Sequence, residues 1–292
     1  MTAAAIEIYR SPNRKSCEER AFVLTAVGVA HEMSQSAEGY SLWVDMADLE
    51  QARDHLLHYQ QESQRPAPPP PVPAPALYDH AWIGSALYVL VLLGVAVAIS
   101  SGIGRLDAFE AGELNAGLVR QGQWWRAWTA LTLHLDPAHI AANIGAGAWF
   151  GYLAGRLLGP GTAWALVVLG AGAANWVEAM LAAAGQRSVG ASTAVFTALG
   201  LMAAYSWRER HMVTQRPAQR YGPLFAGVIL LGWLGTSGEH TDVMAHLLGF
   251  AVGGVLGAVI AGARAQRLWR RLPQWLGGAL ALGLLGLAWA CA

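Results

Sequence analysis

AHLLGFAVGGVLGAVIAG, Ala245 to Gly262, contains one histidine, no charged residue, and glycines at 249, 253 and 257. With Val243 and Met244 before it, the run is close to the ~20 residues that a helix needs to cross ~30 Å of hydrocarbon. An imidazole is costly to bring into lipid, so His246 in the first turn is either a hydrogen-bonded packing residue or a functional one. The glycines fall on the face below His246 and would let a second helix approach closely.

The rest of the chain repeats this pattern. Hydrophobic residues make up 54% of it and charged residues 13%, with 34 glycines and 13 tryptophans. That is too apolar for a soluble domain of this length and indicates a polytopic membrane protein. Apolar stretches occur at about 82–101, 138–156, 162–184, 192–207, 223–237, 243–263 and 273–291, giving seven expected membrane helices. Arg156, then Arg208, Arg210, Arg216 and Arg220, then Arg264, Arg267, Arg270 and Arg271 follow the second, fourth and sixth stretches. By the positive-inside rule those loops are cytoplasmic, although Arg105, Arg120 and Arg126 stand in the long first loop on the opposite side. The formal net charge is zero, which gives no sign of a nucleic-acid partner. Cys17 and Cys291 stand near opposite ends of the chain and suggest neither a disulfide framework nor a metal site.

Residues 1–64 differ in character. The short runs AIEIY and YSLWV read as strands, and RKSCEERAFVLTAV and MADLEQARDHLLHY read as helices, predicting a small α+β domain on the cytoplasmic side. RPAPPPPVPAPA, Arg65 to Ala76, predicts an extended, semi-rigid spacer, and the linker is drawn over 65–80. A membrane core over 81–264 and a C-terminal linker with a seventh helix over 265–292 complete the division. The N-terminus has no apolar core followed by a cleavage site, so the first membrane helix is expected to direct insertion.

Parity gathers the polar residues. His139 and Asn143 lie in the first turns of the second stretch, Ser192 begins the fourth and His246 opens the sixth; even-numbered stretches all enter from the outer face. Four residues from distant parts of the sequence therefore share one depth. His139 and Asn143 are four apart, on a face that continues as Gly147, Gly151 and Gly155. The fourth stretch spans roughly 24 Å, which would submerge Ser192 below the outer surface. A polar cluster there needs water and partners, which implies a cavity open to the outer side, with hydrolysis as its economical use.

These elements resemble the rhomboid intramembrane serine proteases. The matching residues are Trp125–Arg126 in the first loop, HLDPAHIAAN from His134 to Asn143, GAST from Gly190 to Thr193, and AHLLGFAVG from Ala245 to Gly253, together covering about Gln123 to Gly257. The resemblance implies an all-α polytopic membrane bundle with a six-helix core plus a seventh C-terminal helix, and a bacterial inner-membrane location. It implies Ser192 as nucleophile, His246 as general base, and His139, Asn143 and the Ser192 N–H as oxyanion donors. Gly190, Phe196, Arg126, Gly249 and Gly253 would support them. No cofactor and no metal are implied, and the partners would be single-pass or polytopic membrane proteins within the bilayer. Oligomeric state is left open. Three positions differ from the family pattern: Thr193 stands at the second glycine of GxSG, Phe196 where relatives often have tyrosine, and Gln123 where they often have an acid.

Other polar residues receive plainer readings. Asp242 is expected to cap the sixth helix. His134 and Asp136 are expected in a hydrogen-bonded first loop, since no HExxH or cysteine supports a metal. Arg126 is expected to anchor that loop at lipid headgroups, with Trp124, Trp125 and Trp128 as an interfacial belt. Two other functions compete with proteolysis. One is a rhomboid-like protein that binds membrane helices without cutting, whose known members usually lack the nucleophile or base. The other is a small-solute transporter, which would call for an inverted repeat that the sequence does not show.

Overall fold

A computed structural model describes residues 5–64, 77–102, 107–211, 216–235 and 242–292. The chain divides into two units, Met1–Val72 and Pro73–Ala292; the proline run at 65–76 lies outside the described residues.

In the first unit, β1 (Ala5–Ser11) is followed by α1 (Arg14–Ala26), β2 (His31–Ser36), β3 (Gly39–Asp45) and α2 (Leu49–Ser63). The three strands form an antiparallel sheet in the order β1-β3-β2. Asn13 caps α1 by accepting the Lys15 N–H at 3.0 Å. Cys17, Leu24, Leu42, Val44, Ala52 and Leu56 form the core between sheet and helices. The expected α+β character holds, with one strand more than the two β-like runs suggested.

In the second unit every expected apolar stretch contains a helix. These are α3 (Trp82–Ser100), α7 (Pro137–Leu158), α8 (Pro160–Leu181), α9 (Ser192–His211), α10 (Pro217–Gly235), α11 (Val243–Ile260) and α13 (Gln274–Cys291). Between α3 and α7 the first loop folds into α4 (Ala108–Gly112), β4 (Leu114–Asn115), α5 (Ala116–Arg120) and α6 (Arg126–Thr129). β5 (Arg187–Ser188) pairs with β4, and α12 (Ala263–Trp269) precedes α13. Among the described residues α8, α11, α13 and Asp79–Ser100 are each long and apolar enough to cross a membrane by themselves. The other three share their lengths with polar or charged residues, as α9 does with Arg208, Glu209 and Arg210. α9 is therefore longer than its apolar stretch: it runs on to His211, so shortness of the helix itself gives no reason for Ser192 to be submerged. α10 likewise begins six residues before the stretch at 223 and carries Pro223 inside it.

Glycines set the spacing of the bundle. A methyl on Gly249, Gly253 or Gly257 of α11 would meet the backbone carbonyls of Thr193, Thr197 or Leu201 on α9. A methyl on Gly147 or Gly151 of α7 would meet the rings of Tyr88 on α3 or Trp164 on α8. α13 packs on α8, where Gly277 touches the Gly161 backbone and Gln274 Oε1 accepts the Thr162 N–H at 3.0 Å. Near its other end, Trp289 donates to Thr132 Oγ1 at 3.1 Å, bracing the first loop.

Candidate active site

Asp136 and Pro137 decide where α7 starts. Proline supplies a first-turn residue that needs no N–H, and Asp136 Oδ1 accepts the His139 N–H at 2.8 Å. The His139 ring then lies against Gly190, where a methyl would come within 2.8 Å of Nε2. Gly190 also has φ +139°, so both its backbone and its surroundings require glycine.

The loop that delivers Ser192 is tied to the first loop at several points. The Gly190 N–H donates to the Ala130 carbonyl at 3.0 Å, and the Ala191 N–H donates to His134 Nε2 at 3.4 Å. Burial, aided by the neighbouring His139, pushes the His134 imidazole down to about 4. At neutral pH that ring is uncharged, which leaves Nε2 free to accept. β4 pairs with β5 through Leu114–Ser188 and Asn115–Arg187, and Arg187 bridges to Glu113 at 2.8 Å. The expected hydrogen-bonded first loop is present, and its purpose is to hold GAST.

Arg126 is the centre of that loop. It is 6% exposed, and its guanidinium donates to the Glu110 and Glu113 carbonyls at 2.7 and 2.8 Å and to Gln123 Oε1 at 2.6 Å. The anchor is thus internal, in place of the lipid headgroups expected from sequence. Trp128 is also turned inward: it donates to the Val168 carbonyl at 3.1 Å and lies on Gly172.

Ser192 begins α9 half-buried, and α9's first N–H groups lack helical partners by geometry. Phe196, one turn later, carries the His246 ring at 4.4 Å between centroids. His246 is 7% exposed, and its Nδ1 lies 2.9 Å from the Gly235 carbonyl. A carbonyl only accepts, so Nδ1 carries the proton and Nε2 keeps its lone pair. Asn143 is 6% exposed, and its Nδ2 has no hydrogen-bond partner among the described residues. A buried donor left free costs about 1–3 kcal/mol and calls for an explanation. Tyr88 on α3 donates to the Asn143 carbonyl at 2.7 Å and holds that turn.

His139 thus lies against Gly190, just before α9, and His246 against Phe196 in the first turns of α9, while Asn143 stands one turn beyond His139 on α7. The roles of the Gly235 carbonyl and Tyr88 and the β4–β5 pairing were not found from sequence. A tyrosine alone in an apolar stretch was the available signal for Tyr88; a backbone carbonyl offers none. Trp233–Gly235 end α10, and residues 236–241 lie outside the described residues. A cavity of about 620 Å³ between α3 and α13 touches Ala191 and Ala194 and is lined almost wholly by apolar side chains; His246 is not among them. Among the described residues no three metal-binding side chains gather.

Residues 121–263 match the model of the Rhomboid domain. The chain thus carries a Rhomboid domain. It is 30% identical over 142 residues to Rhomboid-like protease 2 of Toxoplasma gondii, covering 47% of each protein. It is 32% identical over 184 residues to Rhomboid protease GluP of Bacillus subtilis (strain 168), covering 62% of this chain and 34% of that one. The matches thus span less than half the length of either curated relative. Within this Rhomboid domain the three departures each have a local account. Gln123 still supplies an acceptor to Arg126. Phe196 still supports the histidine ring. Thr193 is buried, with its γ-methyl beside Gly249 and its carbonyl accepting from Thr197 Oγ1 at 2.7 Å. It faces α11 rather than crowding the loop.

Proposed function

We propose that this protein is an intramembrane serine endopeptidase acting on membrane-protein substrates through a Ser192–His246 dyad. The observation that carries the reading is the hydrogen bond from His246 Nδ1 to the Gly235 carbonyl, made while the ring rests on Phe196 one turn from Ser192. It performs the orienting task that a carboxylate performs in a triad and leaves Nε2 as the base.

Ser192 Oγ attacks the scissile carbonyl carbon as His246 Nε2 takes its proton. The same proton then goes to the leaving amine, and a water, activated the same way, hydrolyses the acyl-enzyme. Asn143 Nδ2, His139 and the Ser192 N–H supply the donors for the oxyanion, each worth about 3 to 4 kcal/mol of barrier. The free Nδ2 of Asn143 then has a reason: its partner forms during the reaction. The positive-inside pattern supports an opening at the outer face with the N-terminal unit in the cytoplasm. Presence of both nucleophile and base, with the base already oriented, favours this reading over a helix-binding relative that does not cut.

Ser192→Ala and His246→Ala are each expected to abolish cleavage of a reporter membrane segment while the detergent-solubilised protein stays folded. A fluorophosphonate should label the parent and not Ser192→Ala, and His139→Ala should slow turnover without ending it. Undiminished cleavage by Ser192→Ala would overturn the proposal.

A further inference from the structure

The cavity between α3 and α13 lies apart from His246. α3 meets α8 where Gly84 lies on the Trp164 ring, and α13 meets α8 where Gly277 lies on the Gly161 backbone; the space left between them is about 620 Å³. On α13 its lining runs from Gln274 to Leu285, which is about 16 Å of helix at ~1.5 Å per residue. That matches the hydrocarbon of one leaflet, about half of ~30 Å. A helix about 10 Å across would need roughly twice the volume over the same length, so a membrane helix does not fit. Ile83, Leu87, Trp275 and Leu282 line the cavity and are also exposed, so it is a groove open sideways to lipid.

The two ends of the groove differ. At one, Ala191 and Ala194 bring the lining to either side of Ser192. At the other, Arg156 stands four residues before the lining residue Pro160, and Arg270 and Arg271 shortly precede Gln274. Gly159 lies against the Gln274 side chain, so these two arginine-bearing connections meet there. Arg156 is half-buried: its Nη1 donates to the Tyr152 hydroxyl at 3.2 Å, and its Nε has no partner among the described residues. Arg271 is exposed. Glu209 lies 4.0 Å from Arg270, and Asp79 is exposed before α3; among the described residues no carboxylate pairs with Arg156 or Arg271. We propose that the groove holds one acyl chain of an anionic phospholipid from the leaflet at the arginine end, with the phosphate at Arg156 and Arg271 and the chain tip behind the turn that carries Ser192. The apolar lining selects hydrocarbon, and guanidiniums without carboxylates select a net negative head.

Gly278 lines the groove, and a methyl built there meets nothing within 4 Å, so Gly278→Leu puts its side chain into the space for the lipid. The full chain, freed of lipid in detergent, is titrated with phosphatidylglycerol carrying a diazirine near the end of one acyl chain, irradiated, and mapped by peptide mass spectrometry. Cross-links are expected on α13 between Gly278 and Leu285 and on α3 between Leu87 and Leu92, about tenfold stronger than with phosphatidylcholine bearing the same chain. Gly278→Leu should lose them while keeping the lipid-free thermal midpoint of the parent. Arg156→Gln combined with Arg271→Gln should weaken phosphatidylglycerol cross-linking about tenfold and leave phosphatidylcholine unchanged, and this pair decides the matter if Gly278→Leu does not fold. Equal labelling by the two lipids, cross-links spread over α10 and α11, or undiminished labelling of a folded Gly278→Leu would each overturn the proposal. Binding is read rather than cleavage, so failure of the Ser192–His246 reading would leave the result unaffected.

Discussion

α7 and α11 carry the same device, glycines at every fourth position below a histidine, and put it to different uses. On α11 the glycines face peptide carbonyls of α9 at closest approach, with the Thr193 γ-methyl farther off beside Gly249. On α7 they are holes for rings, with Tyr88 seated over Gly147 and Trp164 over Gly151. A carbonyl in a helix cannot turn aside, whereas a ring can change rotamer or be replaced. The stripe that joins His246 to the helix of Ser192 thus fixes distance rigidly. The stripe beneath His139 and Asn143 passes through side chains and can be tuned.

That contrast can be broken most directly at Gly253. Its added methyl would overlap the Thr197 carbonyl, and only separation of α9 from α11 could relieve the clash. Gly253→Ala is expected to lower reporter cleavage by about 100-fold or more, since a misplacement of about 1 Å costs that much. Fluorophosphonate labelling should fall with it. On the other stripe, Gly147→Ala would bring a methyl to 2.5 Å from Tyr88 Cζ and drive the ring off the Asn143 carbonyl. A loss of about tenfold is expected, because the donor moves while the nucleophile and base stay in place. Adding Tyr88→Leu should restore thermal stability but not turnover, since the hydroxyl on Asn143 remains absent. Equal losses at the two glycines, with no rescue at either, would erase the distinction between the stripes.

How much of this was legible in the sequence follows from what side chains reveal. The seven long helices could be read because each interrupts a polar chain with an apolar run. β2, HEMSQS, could not: it is an exposed edge strand with almost no buried face, so alternation had nothing to mark it. The polar site residues stood out against apolar surroundings, and parity brought them to one depth. Their partners did not stand out. The carbonyls of Gly235 and Ala130 belong to groups that every residue has, and only the fold selects them. Arg126 was legible as an anchor but not as a buried one, because the first loop closes over it through main-chain acceptors.

The smallest expected effect tests the rigid stripe from its other side. Thr193 stands where the family pattern has glycine, and its γ-methyl would lie 3.2 Å from a methyl built on Gly249. Thr193→Gly removes a buried methyl and loosens the first turn of α9, which should cost about 1–2 kcal/mol of stability. Cleavage should change by less than about threefold, because the Thr193 carbonyl still meets α11 and sets the spacing. Gly249→Ala supplies the decisive partner experiment. Its methyl would lie 2.7 Å from that carbonyl whatever side chain residue 193 carries. If the backbone contact fixes the distance, Thr193→Gly cannot rescue Gly249→Ala. If rescue occurs, the spacing of α9 and α11 was set by the threonine side chain, and both stripes work by the same adjustable packing.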